Sequence, residues 1–313
     1  MDDFVTLADP YRRELMAHCY RMLGSVHDAE DLVQETYLRA WRAYEGFEGR
    51  SSLRTWLYRI ATTQCLTALE SRGRRPMPTG LGSPSSSPDD DLVASEVPWL
   101  EPAPDDLIGG DPAAIVSARE SVRLAFVAAL QHLPPRQRAV LILRDVLKWR
   151  AAEVASALDT TTTAVNSILQ RARAQLDQVG PSQDEVVAPL TPAQQELLGR
   201  YVAAFERKDV DAIVELFTKE AVWEMPPFEQ WYQGRASIAR HLSLRCPGGP
   251  GSMRLLPVAA NGQPAFALYM RDAAGVHRAF VLQVLTFSGS ALTHAANFLD
   301  TRLFKTFGLP DTL

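Results

Sequence analysis

Polar and basic side chains recur along one side of an amphipathic segment in the middle of the chain, residues 162–176. Its apolar residues have helical spacing and predict a buried face made of Val165, Ile168, Leu169, Ala172 and Leu176. The other positions carry hydroxyl, amide and guanidinium groups, which are the donors that contact phosphates and base edges: Thr163, Asn166, Ser167, Gln170, Arg171 and Arg173. The spacing therefore predicts a helix whose outward face can bind DNA. The alternative is an ordinary three-helix bundle with a solvated polar face.

A second short helix must precede this segment to position it. Residues 151–158 have Val154, Ala155 and Leu158 on one side, and a tight turn follows. Asp159 tolerates the left-handed backbone that such a turn needs, and threonine is a good helix N-cap. Two short helices joined by a tight turn predict a helix-turn-helix domain, which we place at residues 114–180.

Charge is distributed unevenly along the 313 residues. The net charge of −5 argues against a nucleic-acid-binding protein if it is counted over the whole chain. Residues 114–180, however, carry nine basic and five acidic side chains, a net charge of +4, whereas residues 76–113 carry eight acidic and no basic ones. Phosphate contacts need a local excess of positive charge, and the helix-turn-helix segment has it.

The composition and length of the chain limit which classes of protein it can belong to. A hydrophobic fraction of 46% and a charged fraction of 22% are ordinary for globular protein, and the length allows two or three domains. We expect no membrane segment and no signal peptide, and hence a cytoplasmic protein. The three cysteines lie far apart in sequence and predict reduced thiols, so we expect neither a metal site nor a cofactor.

Residues 1–75 are predicted to be helical almost throughout. In the helix over residues 26–44, the spacing turns Ala29, Val33, Tyr37, Ala40 and Trp41 toward a core. Charged and polar groups occupy its other sides, and five of them are candidate binding residues: Asp28, Asp31, Gln34, Glu35 and Arg42. A solvated face is the alternative interpretation of these charges.

Two of these segments resemble parts of the sigma-70 family, extracytoplasmic-function type. Residues 152–155 and 165–173, with the preceding residues 133–138, are similar to the fourth domain of these factors, which reads the minus-thirty-five promoter element. Residues 27–42 closely resemble the helix that docks on the clamp helices of the RNA polymerase β′ subunit. The resemblance implies that the partners are promoter DNA and the polymerase core, through its β′ and β subunits. Asn166 and Ile168 stand where many relatives carry Lys and Arg.

The helix predicted over residues 53–72 resembles the segment that melts and reads the minus-ten element. Strand opening requires aromatic surfaces for unstacked bases, a polar pocket for a flipped base and Arg for the backbone. Tyr58 offers one aromatic ring, and Arg74 and Arg75 add a basic end that suits phosphate. The residues that we assign to DNA binding here are Arg54, Trp56, Arg59, Thr63 and Arg72.

Residues 76–113 are rich in Pro and Ser, lack periodicity and predict a disordered or extended tether. The apolar island at residues 97–102 breaks this pattern, and Trp99 and Leu100 would be costly to leave exposed. We expect the island to dock as a regulatory element, with an incidental apolar spot as the alternative. The acidic runs at 89–91 and 105–106 could mimic nucleic acid against a basic surface.

Residues 185–313 combine helices with candidate strands at about 253–260, 264–272, 277–288 and 291–298. Helices followed by a meander of antiparallel strands predict an α+β unit. The segment resembles the SnoaL-like, or nuclear-transport-factor-two-like, cone fold, in which a pocket is enclosed. The candidate pocket residues are polar or aromatic and admit a small-molecule ligand: Trp223, Glu224, Trp231, Tyr232 and His294. No pair at a diagnostic catalytic spacing occurs, so we expect a regulatory domain and not an enzyme.

The sequence thus predicts a multidomain chain: two all-α domains, the second a helix-turn-helix, followed by an α+β cone. The resemblance implies that residues 1–75 dock on polymerase and read the minus-ten element, that residues 114–180 read the minus-thirty-five element, and that residues 185–313 regulate transcription initiation in cis. Two alternatives stay open. One is a one-component regulator with a ligand-sensing domain, and the other is a bifunctional protein whose cone is a cyclase or isomerase.

Overall fold

The computed structural model describes residues 2–71, 73–109, 122–179 and 190–313. The contacts form two compact units, one of Met1–Arg75 with Leu100–Pro181 and one of Pro76–Trp99 with Ser182–Leu313. We call them the helical unit and the sheet unit. This division differs from the predicted single linker over residues 76–113, because the first part of that segment packs with the C-terminal residues. We call residues 76–99 the strap.

The first helical group of the helical unit occupies the N-terminal 71 residues. Its helices are α1 (Asp2–Ala8), α2 (Arg12–Leu23), α3 (Val26–Ala43) and α4 (Leu53–Ser71). Gly24 ends α2 in the left-handed conformation, at a φ of 70°, which glycine adopts without steric cost. The Ser25 side chain then accepts a hydrogen bond from the Asp28 amide and caps α3.

A short helix, α5 (Asp105–Ile108), packs on α2 and precedes the second helical group. That group consists of α6 (Leu124–Gln131), α7 (Pro135–Leu141), α8 (Ala151–Ala157) and α9 (Thr162–Val179), with a π-helical turn at Ile142–Val146. Asp159 has a φ of 48°, and the Thr161 side chain accepts a hydrogen bond from the Ala164 amide at the start of α9. The structure therefore contains the predicted helix-turn-helix. The predicted first residues of this domain, 114–121, lie outside the described residues.

The sheet unit contains a six-stranded sheet with the order β2-β1-β6-β5-β4-β3. Its elements are α10 (Pro192–Arg207), α11 (Val210–Glu215), β1 (Phe217–Glu224), β2 (Trp231–Gln233), α12 (Arg235–Leu244), β3 (Met253–Ala260), β4 (Gln263–Arg271), β5 (His277–Ser288), β6 (Ala291–Phe298) and α13 (Arg302–Thr306). The predicted antiparallel meander is confirmed for β3 to β6. The parallel pairing of β1 with β6 joins β1 and β2 to this meander and was not predicted.

Helices α10, α11 and α12 contribute to an aromatic core that one face of the sheet completes. Thr191 and Gln194 form a capping box at the start of α10, with reciprocal side-chain to amide hydrogen bonds of 3.3 and 2.9 Å. Tyr201 and Phe205 of α10 are buried, and their ring centroids lie 4.7 Å apart. Trp223 of β1 stacks 6.3 Å from Phe205. Aromatic rings thus form a connected part of the interior of the α+β domain, among aliphatic side chains such as Leu216, Ile238 and Leu285.

The described residues contain no helix that is both long and apolar enough to cross a membrane. Cys19 and Cys65 are buried thiols, and Cys246 is a half-buried one. Although Cys19 and Cys65 are distant in sequence, they lie together between α2 and α4, and burial with this neighbouring thiol raises the pKa of Cys65 well above its usual value. Within the described parts of the chain, no group of three metal-binding side chains converges.

Candidate polymerase-binding and DNA-binding surfaces

The outward side of α3 presents most of the side chains that the sequence predicts to bind polymerase. Asp31, Gln34 and Arg42 are exposed. Glu35 is partly buried and forms an ion pair of 2.5 Å with Arg39, one turn further along the helix. These four predicted residues can therefore be reached by another protein.

Two large apolar side chains lie among these polar groups. Leu38 is 48% exposed and Trp41 is 45% exposed. The sequence pattern does not single out Leu38 and turns Trp41 toward the core, which is wrong. The signal was present in the spacing, because positions 34, 38 and 41 are four and three residues apart and share one side of a helix. Exposed large apolar groups beside polar ones are typical of a protein interface.

The N-terminus of α3 is bound by a carboxylate from the linker. Glu101 Oε2 accepts hydrogen bonds from the Ser25 hydroxyl at 2.8 Å and from the Val26 amide at 3.0 Å, and it lies 3.1 Å from His27 Nδ1. A negative charge is favoured there because the first amides of a helix lack partners within the helix and carry the positive end of its dipole. The linker thus stabilises the start of the predicted polymerase-docking helix.

The basic end predicted for phosphate binding is engaged within the helical unit instead. Arg75 lies 2.7 Å from a carboxylate oxygen of Asp28 and 3.7 Å from one of Glu101. Arg74 Nη1 lies 3.0 Å from His132 Nδ1 in the second helical group. Asp28 is accordingly part of an intramolecular network and is less available to polymerase than the sequence suggests. Arg72 lies outside the described residues.

The apolar island docks through only one of its two predicted residues. Leu100 is fully buried against Gly24, where a Cβ atom would lie 2.8 Å from Leu100 Cδ1. Trp99 is half-buried, and its Nε1 donates to the Ser95 carbonyl at 3.4 Å, within the strap. Leu100, and not Trp99, is therefore the anchor on the helical unit.

Helix α4 uses part of its predicted DNA-binding set to hold the first helical group together. Arg54 donates to both carboxylate oxygens of Glu14, at 2.9 and 2.6 Å, and its guanidinium lies 5.0 Å from the centre of the Tyr58 ring. The Tyr58 ring is fully buried between His18 and Trp149. Burial raises the pKa of the Tyr58 hydroxyl. Neither Arg54 nor Tyr58 is presented for DNA in this arrangement.

The other predicted residues of α4 remain accessible. Arg59 and Thr63 are exposed, one turn apart, and the Thr63 hydroxyl donates to the Arg59 carbonyl at 2.9 Å. Trp56 is half-exposed, and its ring packs against Phe47 at 4.8 Å. An indole held by one neighbouring ring can still stack on a base. Trp56, Arg59 and Thr63 are thus the predicted DNA-binding residues of α4 whose side chains are at least partly exposed.

All six predicted residues of α9 are exposed, and the predicted core face is buried or half-buried. They are Thr163, Asn166, Ser167, Gln170, Arg171 and Arg173. Arg173 binds Asp145 through two hydrogen bonds of 2.8 and 2.6 Å, which compete with a phosphate for the same guanidinium. No ion pair joins Arg171 to any residue that the structure describes. Arg171 is therefore the better placed of the two to bind a phosphate.

The two helical groups are in contact, and a buried arginine lies at their junction. Arg138 of α7 donates hydrogen bonds to the Met22 carbonyl of α2 and to Gln131 Oε1, the latter at 2.7 Å. Gln131 Nε2 in turn donates to the Arg21 carbonyl at 3.4 Å. Burial lowers the pKa of Arg138 to about 10, which leaves it a cation. It faces carbonyls at the C-terminus of α2, where positive charge is favoured.

In the sheet unit, the five candidate pocket residues fall into two groups on opposite faces of the sheet. Trp223 pairs with Tyr232 across β1 and β2, and both rings contact His241 of α12 on the helix-covered face. Glu224 and Trp231 form the next pair and therefore point the other way. The prediction of one pocket lined by all five residues is wrong for this reason.

The second face brings a carboxylate and a histidine together. Glu224 is buried, and its Oε1 lies 2.7 Å from His294 Nε2 of β6. Its other oxygen accepts a hydrogen bond of 3.0 Å from the Thr79 amide in the strap. The Trp231 indole donates to the Gly82 carbonyl at 3.1 Å. The strap thus contacts two of the three candidate residues on this face.

Comparison with known families accounts for both units. Residues 7–75 match sigma-70 region 2, residues 123–176 match sigma-70 region 4, and residues 198–291 match the SnoaL-like domain. The region 2 match covers residues 7–75, and the alternative of a one-component regulator gives no role to this segment.

Individual relatives match over most of the chain. The ECF RNA polymerase sigma factor SigG of Mycobacterium tuberculosis (strain ATCC 25618 / H37Rv) is 62% identical over 99% of this chain and 85% of its own length. The sigma factor SigJ of the same organism is 32% identical over 77% of this chain and 72% of its own. The crystal structure of M. tuberculosis SigJ shares the fold, with a TM-score of 0.66 at 24% identity over 98% of this chain and all of that one. The chain belongs to the extracytoplasmic-function sigma factors of RNA polymerase and carries a SnoaL-like domain at its C-terminal end.

Proposed function

We propose that this protein recruits RNA polymerase core through α3 and directs it to promoters that α4 and α9 read. The exposed face formed by Asp31, Gln34, Leu38 and Trp41 supports the first part, and the exposed polar face of α9 supports the second. Membership of the sigma factor family identifies the process as transcription initiation, which takes place in the cytoplasm. The linker and the SnoaL-like domain regulate that step in cis.

The contact between the two helical groups is the main observation that supports regulation of transcription initiation in cis. The minus-ten and minus-thirty-five elements are about 25 base pairs apart, which is roughly 80 Å of duplex at about 3.4 Å per base pair. Helical groups joined through Arg138 and Met22 are too close to engage both elements together. We therefore interpret this arrangement as a closed form that must open before the promoter is bound.

Aromatic packing at the junction supports the same interpretation. Trp149 of the second helical group lies 5.7 Å from the Tyr58 ring, edge to face, and so packs against α4. In the open form the Tyr58 ring would lose Trp149 and its outer side would become accessible, whereas Arg54 would keep its bonds to Glu14 within the first helical group.

Run-off transcription tests this proposal. Full-length protein and polymerase core should transcribe from a cognate promoter, and a variant with a disulfide between the two helical groups should not until it is reduced. A disulfide placed within the first helical group alone is the matched control and should leave transcription unchanged. Equal transcription from the reduced and the cross-linked protein would contradict the closed form.

We infer that the SnoaL-like domain is a regulatory domain and not an enzyme. Tyr201, Phe205 and Trp223 belong to its buried core, and the close acid–histidine pair among the described residues of this domain, Glu224 with His294, is in contact with the strap. The bifunctional alternative requires turnover, so it predicts that Glu224→Gln abolishes a reaction. The regulatory interpretation predicts instead that Glu224→Gln alters transcription.

A small-molecule ligand is a further proposal, and the helix-covered face supports it. Among the residues that the structure describes, none is a hydrogen-bond partner for Trp223 Nε1, Tyr232 OH or His241 Nδ1, and all three side chains are buried. Burial, with the nearby charges of Arg245 and Lys208, lowers the pKa of His241 to about 4, so the ring is neutral. A compact uncharged molecule with both donors and acceptors would satisfy these groups. Calorimetry with a library of such compounds tests this.

A further inference from the structure

The strap is bound along the edge of the sheet mainly through its own backbone. The Ser85 amide donates to the Trp231 carbonyl of edge strand β2 at 2.8 Å, and the Ser95 amide donates to the Pro227 carbonyl at 2.9 Å. The Gln230 side chain accepts a hydrogen bond from the Val93 amide at 3.2 Å through Oε1, and its Nε2 donates one to the Asp91 carbonyl at 3.3 Å. The strap has turns along its length and forms one isolated β-bridge, between Ala94 and Phe228, so it follows the sheet edge without adding a seventh strand. Backbone groups at an exposed edge are available to bind another segment of chain.

Charge complementarity fixes the register of the bound segment. Arg240 of α12 donates to both carboxylate oxygens of Asp89, with Nε to Oδ1 at 2.8 Å. Arg245 donates to the Asp89 carbonyl at 2.6 Å and to Asp91 Oδ1 at 3.1 Å. The acidic run therefore lies against arginines of the sheet unit, and the predicted mimicry of nucleic acid on a basic surface has a concrete counterpart there.

The bound segment has the properties of a releasable element. Leu92 packs against the core of the sheet unit, but Arg240 and Asp89 are 58% and 46% exposed. Exposed ion pairs are weak and are screened by salt. Backbone hydrogen bonds at a sheet edge can be exchanged for bonds to water or to another extended chain.

Both ends of the strap adjoin one ion pair in the helical unit. Arg75 precedes the strap, Glu101 follows it closely, and their side chains lie 3.7 Å apart. While the strap is bound, its 24 residues therefore do not lengthen the connection between the two helical groups. A released strap of about 24 residues would have a root-mean-square length of about 27 Å, which would let the groups separate.

We propose that β2, the loop that precedes it and Arg240 with Arg245 form a binding site for an acidic peptide, which residues 79–95 occupy in cis. Release of this segment lengthens the tether between the DNA-reading groups, so the regulatory consequence rests on the proposed function. The binding site itself does not. The partner that the site fits in trans is the same acidic segment of a second copy.

Hydrogen–deuterium exchange on the full-length protein tests the site directly. The amides of Thr79, Ser85, Val93 and Ser95 should exchange slowly in the wild type. Asp89→Arg or Arg240→Asp should speed exchange over residues 79–95 by about five- to tenfold, since each removes the ion pair and adds a like-charge contact. The double variant with both changes should recover most of the protection. Arg278→Asp, which breaks an exposed pair with Asp272 elsewhere on the sheet unit, is the control and should leave the strap protected.

A peptide of residues 76–99 supplies the second arm. Labelled peptide should bind the full-length Asp89→Arg variant more tightly than it binds the wild type, whose site is occupied in cis at high effective concentration. A peptide with Asn at positions 89 and 91 should bind at least several-fold more weakly. Rapid exchange of the strap in the wild type, or protection that is unchanged by Arg240→Asp, would overturn the proposal. Protection that responds as expected while transcription does not change would retain the site and remove its regulatory role.

Discussion

Arg138 of the second helical group donates a hydrogen bond to the carbonyl oxygen of Met22, the penultimate residue of α2 in the first helical group. Arg138 is 2% exposed, and it also binds the Gln131 side chain and the Gln131 and Leu133 carbonyls. A buried cation with several partners is costly to disturb. This one side chain therefore connects the internal structure of the second helical group to its contact with the first.

Replacing Arg138 should open the helical unit. We expect Arg138→Met to lower the free energy of unfolding of this unit by about 3–5 kcal/mol, because the carbonyl of Met22 and the side chain of Gln131 lose a charged donor. Urea titration measures the loss. Arg136→Met is the control, since Arg136 donates at 3.0 Å to Leu158 within its own group. An Arg138→Met protein as stable as the control would refute the assignment.

The apolar part of the α3 face should matter for polymerase binding. Changing Leu38 and Trp41 to Ala should weaken binding to core polymerase by at least about tenfold, the usual effect of removing a large apolar contact from an interface. Both side chains are about half exposed, so the fold should be retained. Leu7→Ala, at a residue of α1 that is 50% exposed, is a control for general loss of apolar surface. Unchanged co-purification of the double variant with polymerase would count against the face.

Arg171 and Arg173 should differ in their contribution to DNA binding. Arg171→Ala should weaken binding to all sequences and reduce the slope of log affinity against log salt by about one. Arg173→Ala should have a smaller effect, because Arg173 must first leave Asp145. Asn166→Ala should change the preferred sequence and leave the slope unaltered. Titrations of duplex DNA at several salt concentrations test all three, and an equal loss of slope for both arginines would show that the Asp145 pair does not compete.

The helical unit should lose stability in mild acid through His18. Burial and the charge of Arg21 lower the pKa of His18 from its usual 6.5 to about 3. The unfolded chain therefore binds a proton below pH 6.5 that the folded chain does not bind until about pH 3, and the free energy of unfolding falls throughout that interval. Between pH 7 and pH 5 this amounts to about 2 kcal/mol.

His18→Gln isolates that contribution. The variant should lose about 2 kcal/mol less than the wild type between pH 7 and pH 5, measured by urea titration with amide exchange of α2 as the signal. Glutamine retains a donor for Thr62, whose hydroxyl lies 2.9 Å from His18 Nε2. Parallel pH dependence in both proteins would mean that His18 is protonated in the folded state.

The elements whose signals are local could be predicted from the sequence. The helix-turn-helix follows from periodicity and from Asp159, and the strands β3 to β6 follow from alternation and from turn residues. The strap could not be predicted, because its partners, such as Trp231 for Ser85, lie far along the chain and its composition resembles that of a disordered segment. The separation of Trp223 from Glu224 was available from alternation, but the pairing that settles it, with Tyr232 and Trp231, is not local.

The contacts that occupy Arg54 and Tyr58 also could not be predicted. Both have residue types that strand opening requires, but Arg54 binds Glu14 within the first helical group and Tyr58 packs against Trp149 of the second. The sequence shows that these residue types suit DNA binding, but it does not show whether the side chains contact DNA or other residues of the chain.

The distance between the helical groups tests the central claim most directly. Spin labels at Glu70→Cys on α4 and Ala174→Cys on α9, in a Cys246→Ser background, report this distance by pulsed electron paramagnetic resonance on the full-length protein. We predict one short-distance population for the free protein and a population several tens of ångströms longer when polymerase core and promoter DNA are bound. A long distance in the free protein, or the same short distance in the promoter complex, would contradict the claim that a closed form must open.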